Sequence, residues 1–326
     1  MNKTLLNPKL KSEYIVPCSK SVLHRLLILQ AFSNKKVEVT YDEPIGDDIR
    51  ATIECLNIIR SSNSDKVLDC RDSGSTYRFL LGVTKKLGID CKLSGTKKLL
   101  ERVNSGAPTS QFITGELLGE YLAGNDIDSV KIPENQVSRA YIELTKDIIK
   151  KFDSADSIHA EGDWSLGALW LVAGAITGKD VKVTNLDESS KQGDKRIVQL
   201  IRLFKETDGR VIDGSLNPDL VPILSVLASF SKGKTRIENI EHLRHKESDR
   251  VESPARLINC LGGHAITGKD YIEISEAKLT GGIIDAENDH RIAMAAGIAA
   301  FGIDGFVEIN GAEAVGKSYP NFWEEF

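Results

Sequence analysis

Six apolar segments recur along the chain, and each follows a short polar motif. Residues 292–301 and 166–176 are apolar all the way round, without the polar face of a surface helix. Such a helix is buried on every side or lies in a membrane, and these segments are too short to span one. The polar motifs, in chain order, are Ser19-Lys20-Ser21, Asp72-Ser73-Gly74-Ser75, Thr109-Ser110-Gln111, Glu161-Gly162-Asp163, Asn217-Pro218-Asp219 and Asp289-His290-Arg291. The pattern predicts six inner helices, each with polar residues at its N-terminus.

Short strands and amphipathic second helices complete the repeated unit. Several strand segments alternate apolar and polar residues, as half-buried strands do; the predicted strands are residues 37–40, 91–94, 129–132, 181–185, 235–240 and 306–310. The second helices carry one apolar stripe each; they are residues 49–59, 141–151, 195–204 and 251–260. Amphipathic strands can cover apolar helices, which predicts helices inside and sheets outside. In the second copy the next motif, at Thr109, follows Arg102 almost at once, so a second helix and its strands are expected to be missing there.

Length, charge and cysteine content limit the class of protein. A chain of 326 residues exceeds the usual single-domain size and predicts two domains. The net charge of −5 argues against general nucleic-acid binding, which usually needs a basic surplus. The five cysteines show no metal-like spacing and are expected to be reduced thiols. Without an apolar run of membrane length or a signal-peptide core, the chain is expected to be cytoplasmic and independent of membranes.

The first polar motif has the composition of an anion site. The N-terminus of a helix exposes N–H groups at the positive end of the helix dipole. Lys20 lies at the helix start, while Ser21 and Arg25 are one turn apart on one face. A hydroxyl, an ammonium and a guanidinium in that place suit a phosphate or a carboxylate. Taken alone, the motif is more typical of a solvated helix start.

A second set of charges lies in the C-terminal half. Residues 244–250 carry four potential cations; Lys246 and Arg250 share a helical face, and Glu247 can pair with either. The alternative is an ordinary salt-bridged surface. Asp289 precedes the sixth apolar segment, so its motif must lie at the helix start, as a functional group or as a plain capping residue.

Two further residues are candidates through their neighbours. Asp219 follows Pro218 and precedes an apolar helix; it is a cap, or a general base if cations and a sugar hydroxyl surround it. Lys317, in Gly316-Lys317-Ser318, alone is typical of the surface. The sequence has no P-loop, metal-ligand spacing or nucleophile elbow. Polar residues recur at the start of the apolar helix in all six units. The pattern therefore favours one shared anion site over unrelated surface groups.

Five motifs together resemble the 5-enolpyruvylshikimate-3-phosphate synthases, or 3-phosphoshikimate 1-carboxyvinyltransferases. The resemblance runs from about residue 15 to the C-terminus. The strings that carry it are Ser19-Lys20-Ser21 with Arg25, Gly74-Ser75-Thr76-Tyr77-Arg78, Ser110-Gln111-Phe112, Leu243-Arg244-His245-Lys246-Glu247-Ser248-Asp249-Arg250 and Asp289-His290-Arg291-Ile292-Ala293-Met294.

The resemblance implies a fold, a reaction and a division into domains. The fold is the inside-out α/β barrel of enolpyruvyl transferases, with two pseudo-threefold domains facing each other across a cleft. Domain I comprises residues 1–18 and 161–326 and binds on the phosphoenolpyruvate side; domain II comprises residues 19–160, is shortened, and holds shikimate phosphate. The reaction transfers enolpyruvyl from phosphoenolpyruvate to the 5-hydroxyl of shikimate 3-phosphate, in the pathway to chorismate. It needs neither a metal nor an organic cofactor.

The resemblance also assigns site residues, motif by motif. Shikimate 3-phosphate is expected at Lys20, Ser21, Arg25, Ser110, Gln111, Ser138, Asp219, His242 and Lys246, with Tyr141 near the ring. Phosphoenolpyruvate is expected at Lys20, Gly74, Arg102, Gln111, Arg250, Arg291 and Lys317, with Arg78 supporting the loop of Gly74. The catalytic set is Asp219, Glu247, Lys20 and Lys317; which carboxylate moves which proton stays open.

The chain departs from the family in its length. Most of the shortening lies in residues 19–160, especially between Arg102 and Thr109, where Val103-Asn104 replaces a frequent proline. The chain is expected to be a monomer. Weak association stays open, because an inner helix without its cover would leave an apolar patch that can recruit a partner. Two alternatives also remain: an enolpyruvyl transferase acting on a UDP-sugar, and a trimmed homologue that binds anions without catalysis.

Overall fold

Helices and short strands alternate along the chain. The structure is a computed structural model and describes residues 1–62, 65–106, 109–134 and 136–326. The α-helices of these residues are α1 (Lys20–Phe32), α2 (Asp47–Arg60), α3 (Gly74–Lys86), α4 (Lys97–Asn104), α5 (Ser110–Leu122), α6 (Arg139–Ser154), α7 (Trp164–Thr177), α8 (Ile197–Glu206), α9 (Val221–Ser229), α10 (Glu252–Cys260) and α11 (His290–Ala299). The strands are β1 (Asn2–Leu6), β2 (Glu13–Tyr14), β3 (Glu38–Thr40), β4 (Val67–Asp69), β5 (Lys92–Ser94), β6 (Ser157–His159), β7 (Lys182–Val183), β8 (Gly209–Asp213), β9 (Lys234–Glu238), β10 (His264–Thr267), β11 (Tyr271–Ser275), β12 (Gly282–Asp285) and β13 (Phe306–Asn310). Apart from residues 129–132, each helix and strand delimited from the sequence is present. The strand predicted at 181–185 is reduced to β7, and residues 195–196 belong to a 3-10 helix that precedes α8.

The chain divides into two compact units. The terminal unit comprises Met1–Val16, Trp164–Glu188 and Gly193–Phe326, and the middle unit comprises Pro17–Asp163 and Ser189–Gln192. The sequence placed the boundaries after residues 18 and 160. The short segment at 189–192 groups with the middle unit because Gln192 Nε2 donates to Glu161 Oε1 at 2.8 Å and to the Gly162 carbonyl at 2.9 Å. This segment lies far from the middle unit in the sequence, so periodicity did not indicate it.

The terminal unit has apolar helices at its core and sheets around them. Every residue of α9 and α11 is buried, and so are ten residues of α7. The sheets have the orders β10-β11-β9-β8, β1-β13-β12 and β2-β7. On β9 and β13 buried residues alternate with more exposed ones, as strands covering a core on one face require. The predicted arrangement, helices inside and strands outside, is confirmed here.

The middle unit follows the same plan with fewer strands. Its inner helices are α1, α3 and α5, and its sheets are the parallel pairs β3-β6 and β4-β5. Helices α3 and α5 approach each other through glycines. A Cβ atom on Gly82 would lie 2.4 Å from the carbonyl carbon of Gly115, and one on Gly115 would lie 2.5 Å from the Arg78 carbonyl oxygen. The two backbones are therefore packed too closely for any side chain at these positions.

Replacing Gly115 with Ala is expected to destabilise the middle unit. The added methyl would overlap backbone atoms of α3, and overpacking of this kind costs about 1–3 kcal/mol, more than the helix propensity of Ala returns. Urea unfolding measures the loss. The matched control is Glu116→Ala, one residue along the same helix and exposed, which should change stability little. A Gly115→Ala protein as stable as its parent would contradict the close helix contact.

Two sequence expectations for the middle unit need correction. The strand predicted at residues 129–132 is wrong: Ile127–Ser129 is a 3-10 helix whose Asp126 cap accepts from the Asp128 N–H. The apolar alternation there reflects packing, since Val130 and Ile132 contact the core between α5 and α6. The second copy also has a second helix after all, the eight-residue α4, although the described residues between α4 and α5 contain no strand.

The described residues contain no helix that is both long enough and apolar enough to cross a lipid bilayer.

Candidate functional site

The polar motifs lie at the N-termini of the inner helices, as the repeat predicted. Ser73, Thr109 and Asp289 cap α3, α5 and α11, and each side-chain oxygen accepts a backbone N–H of the first helical turn. The Asn217 motif begins a 3-10 turn that runs directly into α9. Capping explains why short polar side chains occupy these places. The charged residues of each motif, which are neighbours of the caps in the sequence, therefore also lie at the N-terminal ends of these helices.

A buried arginine gathers three carboxylates in the terminal unit. Arg250 is 2% exposed and lies in the turn before α10. Its Nε donates to Asp289 Oδ2 at 2.7 Å, and its Nη2 donates to Asp289 Oδ1 at 3.0 Å and to Glu247 Oε2 at 2.8 Å. Its Nη1 donates to Asp219 Oδ1 at 2.9 Å. We call Asp219, Glu247, Arg250, Asp289 and Arg291 the carboxylate–arginine cluster.

The second arginine of the cluster connects it to α7. Arg291 Nη2 donates to Asp219 Oδ2 and to Ser165 Oγ, each at 3.0 Å. Each oxygen of the Asp219 carboxylate therefore accepts from a different arginine. Such charge-assisted bonds are short and strong, and the guanidinium planes fix the direction of the carboxylate.

The cluster perturbs the ionisation of its members. Burial alone would raise the pKa of Asp219, but Arg291, Lys246 and Arg250 outweigh it and hold that pKa well below its usual value. Burial likewise opposes the charge of Asp289, and Arg250 overcomes it, so the pKa of Asp289 is also lowered. The pKa of Arg250 is raised, because its carboxylate partners outweigh its own burial. Asp219, Asp289 and Arg250 are therefore charged at neutral pH.

Lys317 and His242 lie in 3-10 helices of the same unit. Lys317 Nζ donates to the carbonyl of Asn288 at 3.3 Å, next to the cap of α11. His242 has a buried Nε2 without a hydrogen-bond partner among the described residues. Burial, and then the charge of Lys246, lower the pKa of His242 to about 4, so its ring is neutral at pH 7.

Lys20 of the middle unit forms an ion pair that the sequence did not indicate. Its Nζ lies 2.7 Å from Asp48 Oδ2, and both side chains are mostly buried. Asp48 is in the first turn of α2, where negative charge is favoured. An acidic first turn is a visible signal in the sequence, but it does not say which cation the carboxylate meets.

Arg25 is buried inside the middle unit. Its guanidinium donates to Thr145 Oγ1 at 2.8 Å, to Thr114 Oγ1 at 3.2 Å and to the Tyr141 carbonyl at 3.1 Å, and it also bonds the Ser21 carbonyl. These bonds join α1 to α5 and α6. They bring the start of α1 near Tyr141, in the first turn of α6. Ser138, the residue before α6, has a left-handed backbone with φ 59°.

The remaining predicted residues of the middle unit meet around Arg78. Its Nη1 donates to Gln111 Oε1 at 2.7 Å, and its Nη2 donates to the Arg102 carbonyl at 3.3 Å. Gln111 Nε2 in turn donates to Ser75 Oγ at 2.9 Å, next to Gly74. The interpretation that Arg78 supports the Gly74 loop agrees with these contacts.

Arg102 and Ser110 complete the set. Arg102 Nη2 donates to Asp72 Oδ1 at 2.7 Å and to the Asp72 carbonyl at 2.9 Å, so α4 is tied to the start of α3. The sequence identified Asp72 as part of a polar motif but did not indicate its pairing with Arg102. Ser110 is buried at the first position of α5.

Comparisons with known proteins agree on one family. The model of the EPSP synthase family (3-phosphoshikimate 1-carboxyvinyltransferase) matches residues 149–326. A 3-phosphoshikimate 1-carboxyvinyltransferase of Clostridium acetobutylicum is 32% identical over 417 aligned positions, which cover 100% of this chain and 96% of the relative. The protein of the same name from Clostridium kluyveri is 32% identical and covers 100% of this chain and 97% of the relative. Since the alignments are longer than the 326 residues of this chain, the relatives contain segments that it lacks.

Solved structures show the same fold. EPSP synthase from Acinetobacter baumannii superposes with a TM-score of 0.75 at 18% identity, over 100% of this chain and 97% of that one. The enolpyruvyl transferase NikO from Streptomyces tendae superposes with a TM-score of 0.60 at 11% identity, over 99% and 96% of the two chains. The fold is therefore the inside-out α/β fold of enolpyruvyl transferases, and the sequence identity to the clostridial enzymes over the whole chain shows that this protein belongs to the EPSP synthase family.

Proposed function

We propose that this chain transfers the enolpyruvyl group of phosphoenolpyruvate to the 5-hydroxyl of shikimate 3-phosphate and releases phosphate. The product is 5-enolpyruvylshikimate 3-phosphate, on the way to chorismate and the aromatic amino acids. Membership of the family supports the reaction. The observation in this chain that carries it is the carboxylate–arginine cluster, in which Asp219 and Glu247 share the buried guanidinium of Arg250.

The proposal assigns residues of both units to the two substrates. Shikimate 3-phosphate is bound by Lys20, Ser21, Arg25, Ser110, Gln111, Ser138, Asp219, His242 and Lys246, and phosphoenolpyruvate is bound by Lys20, Gly74, Arg102, Gln111, Arg250, Arg291 and Lys317. In this assignment Arg25 acts mainly by orienting Ser21 and Tyr141, because its own hydrogen bonds go to the protein. His242 is neutral and therefore offers a hydrogen bond, without adding charge.

The cluster holds its two arginines in place for binding anions. Its guanidinium groups are oriented by carboxylates before any substrate arrives, so little free energy is spent on aligning them. A phosphate or a carboxylate of the substrate competes for the N–H groups of Arg250 and Arg291. Binding of such an anion then weakens and lengthens the hydrogen bonds from the arginines to Asp219 and Glu247.

This competition changes the basicity of Asp219. In the unliganded protein the arginines keep its pKa low, so its carboxylate is a weak base. Anions bound to Arg250 and Arg291 reduce the positive field, which raises the pKa of Asp219 and makes its carboxylate a stronger base. Asp219 and Glu247 are then the groups that accept the proton of the 5-hydroxyl and deliver a proton to the methylene carbon, with Lys20 and Lys317 as cationic helpers.

The experiment is phosphate release by the purified protein with both substrates present. Phosphate should appear only when shikimate 3-phosphate and phosphoenolpyruvate are combined, in equal amount to the enolpyruvyl product. Turnover with a UDP-sugar in place of shikimate 3-phosphate would contradict the proposal and support the related transferase. Calorimetric binding of shikimate 3-phosphate without phosphate release on adding phosphoenolpyruvate would identify a homologue that only binds anions.

A further inference from the structure

We infer that Asp48 is a positioning residue for Lys20: its carboxylate fixes the ammonium group that must meet both substrates. The inference rests on the proposed function for the role of Lys20 and on the geometry of the middle unit for the role of Asp48. Asp48 does not belong to the polar motifs, and no substrate contact is assigned to it.

Lys20 is fixed at its backbone and at its ammonium group. Its backbone N–H donates to Asp163 Oδ2 at 3.2 Å, and its Nζ lies 2.7 Å from Asp48 Oδ2. The side chains of Lys20 and Asp48 are 18% and 12% exposed, so solvent screens this pair less than a surface pair. A free lysine side chain has many rotamers, and holding it in one costs conformational entropy. The ion pair supplies that order before substrate binds.

Asp48 itself is held by a buried network of hydroxyl groups. Its backbone carbonyl accepts from Thr76 Oγ1 at 3.2 Å and from Thr52 Oγ1 at 3.4 Å. The two threonine hydroxyls lie 2.7 Å apart, and Thr52 also bonds His24 Nδ1 at 2.7 Å. The residues come from three helices of the middle unit, so the backbone at Asp48 is fixed relative to all three.

The same network reaches the loop of Gly74. The hydroxyl of Ser73, the cap of α3, lies within hydrogen-bond distance of Thr76 Oγ1, at 2.8 Å, and Thr76 is two residues after Gly74. Asp48 therefore relates the position of the Lys20 ammonium group to the start of α3. Both places are assigned to phosphoenolpyruvate, so their separation within the middle unit matters for its binding.

The first test replaces the carboxylate and compares steady-state kinetics. Asp48→Leu, with nearly the same shape and no oxygen, should lower kcat/KM for phosphoenolpyruvate by about 10- to 100-fold, because a misplaced group loses the advantage of orientation. Asp48→Asn should lower kcat/KM less than Asp48→Leu does, because the amide oxygen of Asn can still accept from the ammonium group. The matched control is Asp47→Asn, the same charge change in the same helical turn at an exposed position, with near-parental kinetics expected.

A double-mutant cycle separates positioning from general damage to the fold. Lys20→Met is expected to abolish turnover, so the cycle is measured as affinity for shikimate 3-phosphate by calorimetry. If Asp48 acts through Lys20, adding Asp48→Leu to Lys20→Met should cause no further loss of affinity. If Asp48→Leu lowered the affinity for shikimate 3-phosphate equally in the parent and in Lys20→Met, the inference would be overturned. Urea unfolding of each variant shows whether the fold is retained.

A footprint that needs no substrate completes the design. Acetylation of Lys20 by acetic anhydride, followed by mass spectrometry, should be several-fold faster in Asp48→Leu than in the parent. Lys97, whose side chain is 92% exposed and lies 3.9 Å from Glu101, should react equally in both. A faster Lys20 reaction in a protein without turnover would reject the proposed function and keep the ion-pair role of Asp48. Unchanged labelling in an active enzyme would reject the positioning role.

Discussion

Replacing Glu247 with Ala is expected to lower kcat by about 10²- to 10⁴-fold, the range that a positioned acid or base contributes. The Glu247 carboxylate lies 2.8 Å from Arg250 and is 19% exposed, at the edge of the cluster. Without it, Arg250 still bonds Asp289 and Asp219, so the fold should persist. The loss should therefore appear in phosphate release and not in urea unfolding.

The control for Glu247 is a carboxylate in the same region with a structural role. Glu252 accepts from Arg244 at 3.1 Å and from Thr267, at the first position of α10. Arg244 keeps Asp249 as a partner at 2.7 Å when Glu252 is removed. Glu252→Ala should therefore turn over like the parent. Normal phosphate release by Glu247→Ala, or equal losses in both variants, would remove Glu247 from the chemistry.

The polar motifs were predictable because one physical cause acts in every copy. A buried apolar helix must have its first N–H groups satisfied, and short polar side chains such as Ser73, Thr109 and Asp289 do this. The apolar period identifies the helix and the cap identifies its start. The candidate site residues beside the caps, Arg291 and Gln111 among them, were therefore predicted together with the helices.

Partners that come from different helices were not predictable in the same way. Nothing in the sequence around Asp48 indicates Lys20, which is 28 residues away, or around Asp72 indicates Arg102, 30 residues away. Helical periodicity relates neighbours three or four residues apart, and such pairs are set by tertiary packing. The wrong strand at residues 129–132 has a related cause, since Val130 and Ile132 alternate in order to pack on α5 and α6.

The sequence indicated only part of the environment of Arg250. Its spacing from Lys246 predicted a shared helical face, and the family resemblance assigned it to phosphoenolpyruvate. The shared helical face is wrong, because residues 246–250 lie between the 3-10 helix that ends at His245 and α10. The structure adds that its Nε and both terminal nitrogens already bond three carboxylates, and that its side chain is 2% exposed. Arg250 therefore orients Asp219 and Glu247 as well as offering positive charge, and its loss should affect the fold more than the loss of a surface arginine.

Replacing Arg250 with Met is expected to lower the free energy of unfolding by about 3–5 kcal/mol, because it leaves buried carboxylates without their partner. Of the three carboxylates that Arg250 contacts, Asp289 has a fully buried side chain and depends most on Arg250 to balance its charge. Urea unfolding measures the change. Arg256→Met is the matched control: Arg256 pairs with Glu287 at 2.6 Å with its side chain 55% exposed, and such pairs contribute less than about 1 kcal/mol.

The pH dependence separates the electrostatic cause from a simple loss of packing. In the parent the pKa of Asp289 is lowered, so its contribution is present above its unfolded pKa of about 3.9 and is lost as pH falls below that value. Without Arg250, burial raises the pKa of Asp289 above its unfolded value, so the variant regains stability as the carboxylate takes up a proton. The difference in the free energy of unfolding between the parent and Arg250→Met should therefore be largest at pH 7 and become smaller toward pH 4. A packing defect would give the same difference at both values, and that outcome would show that the cluster is not held together by charge.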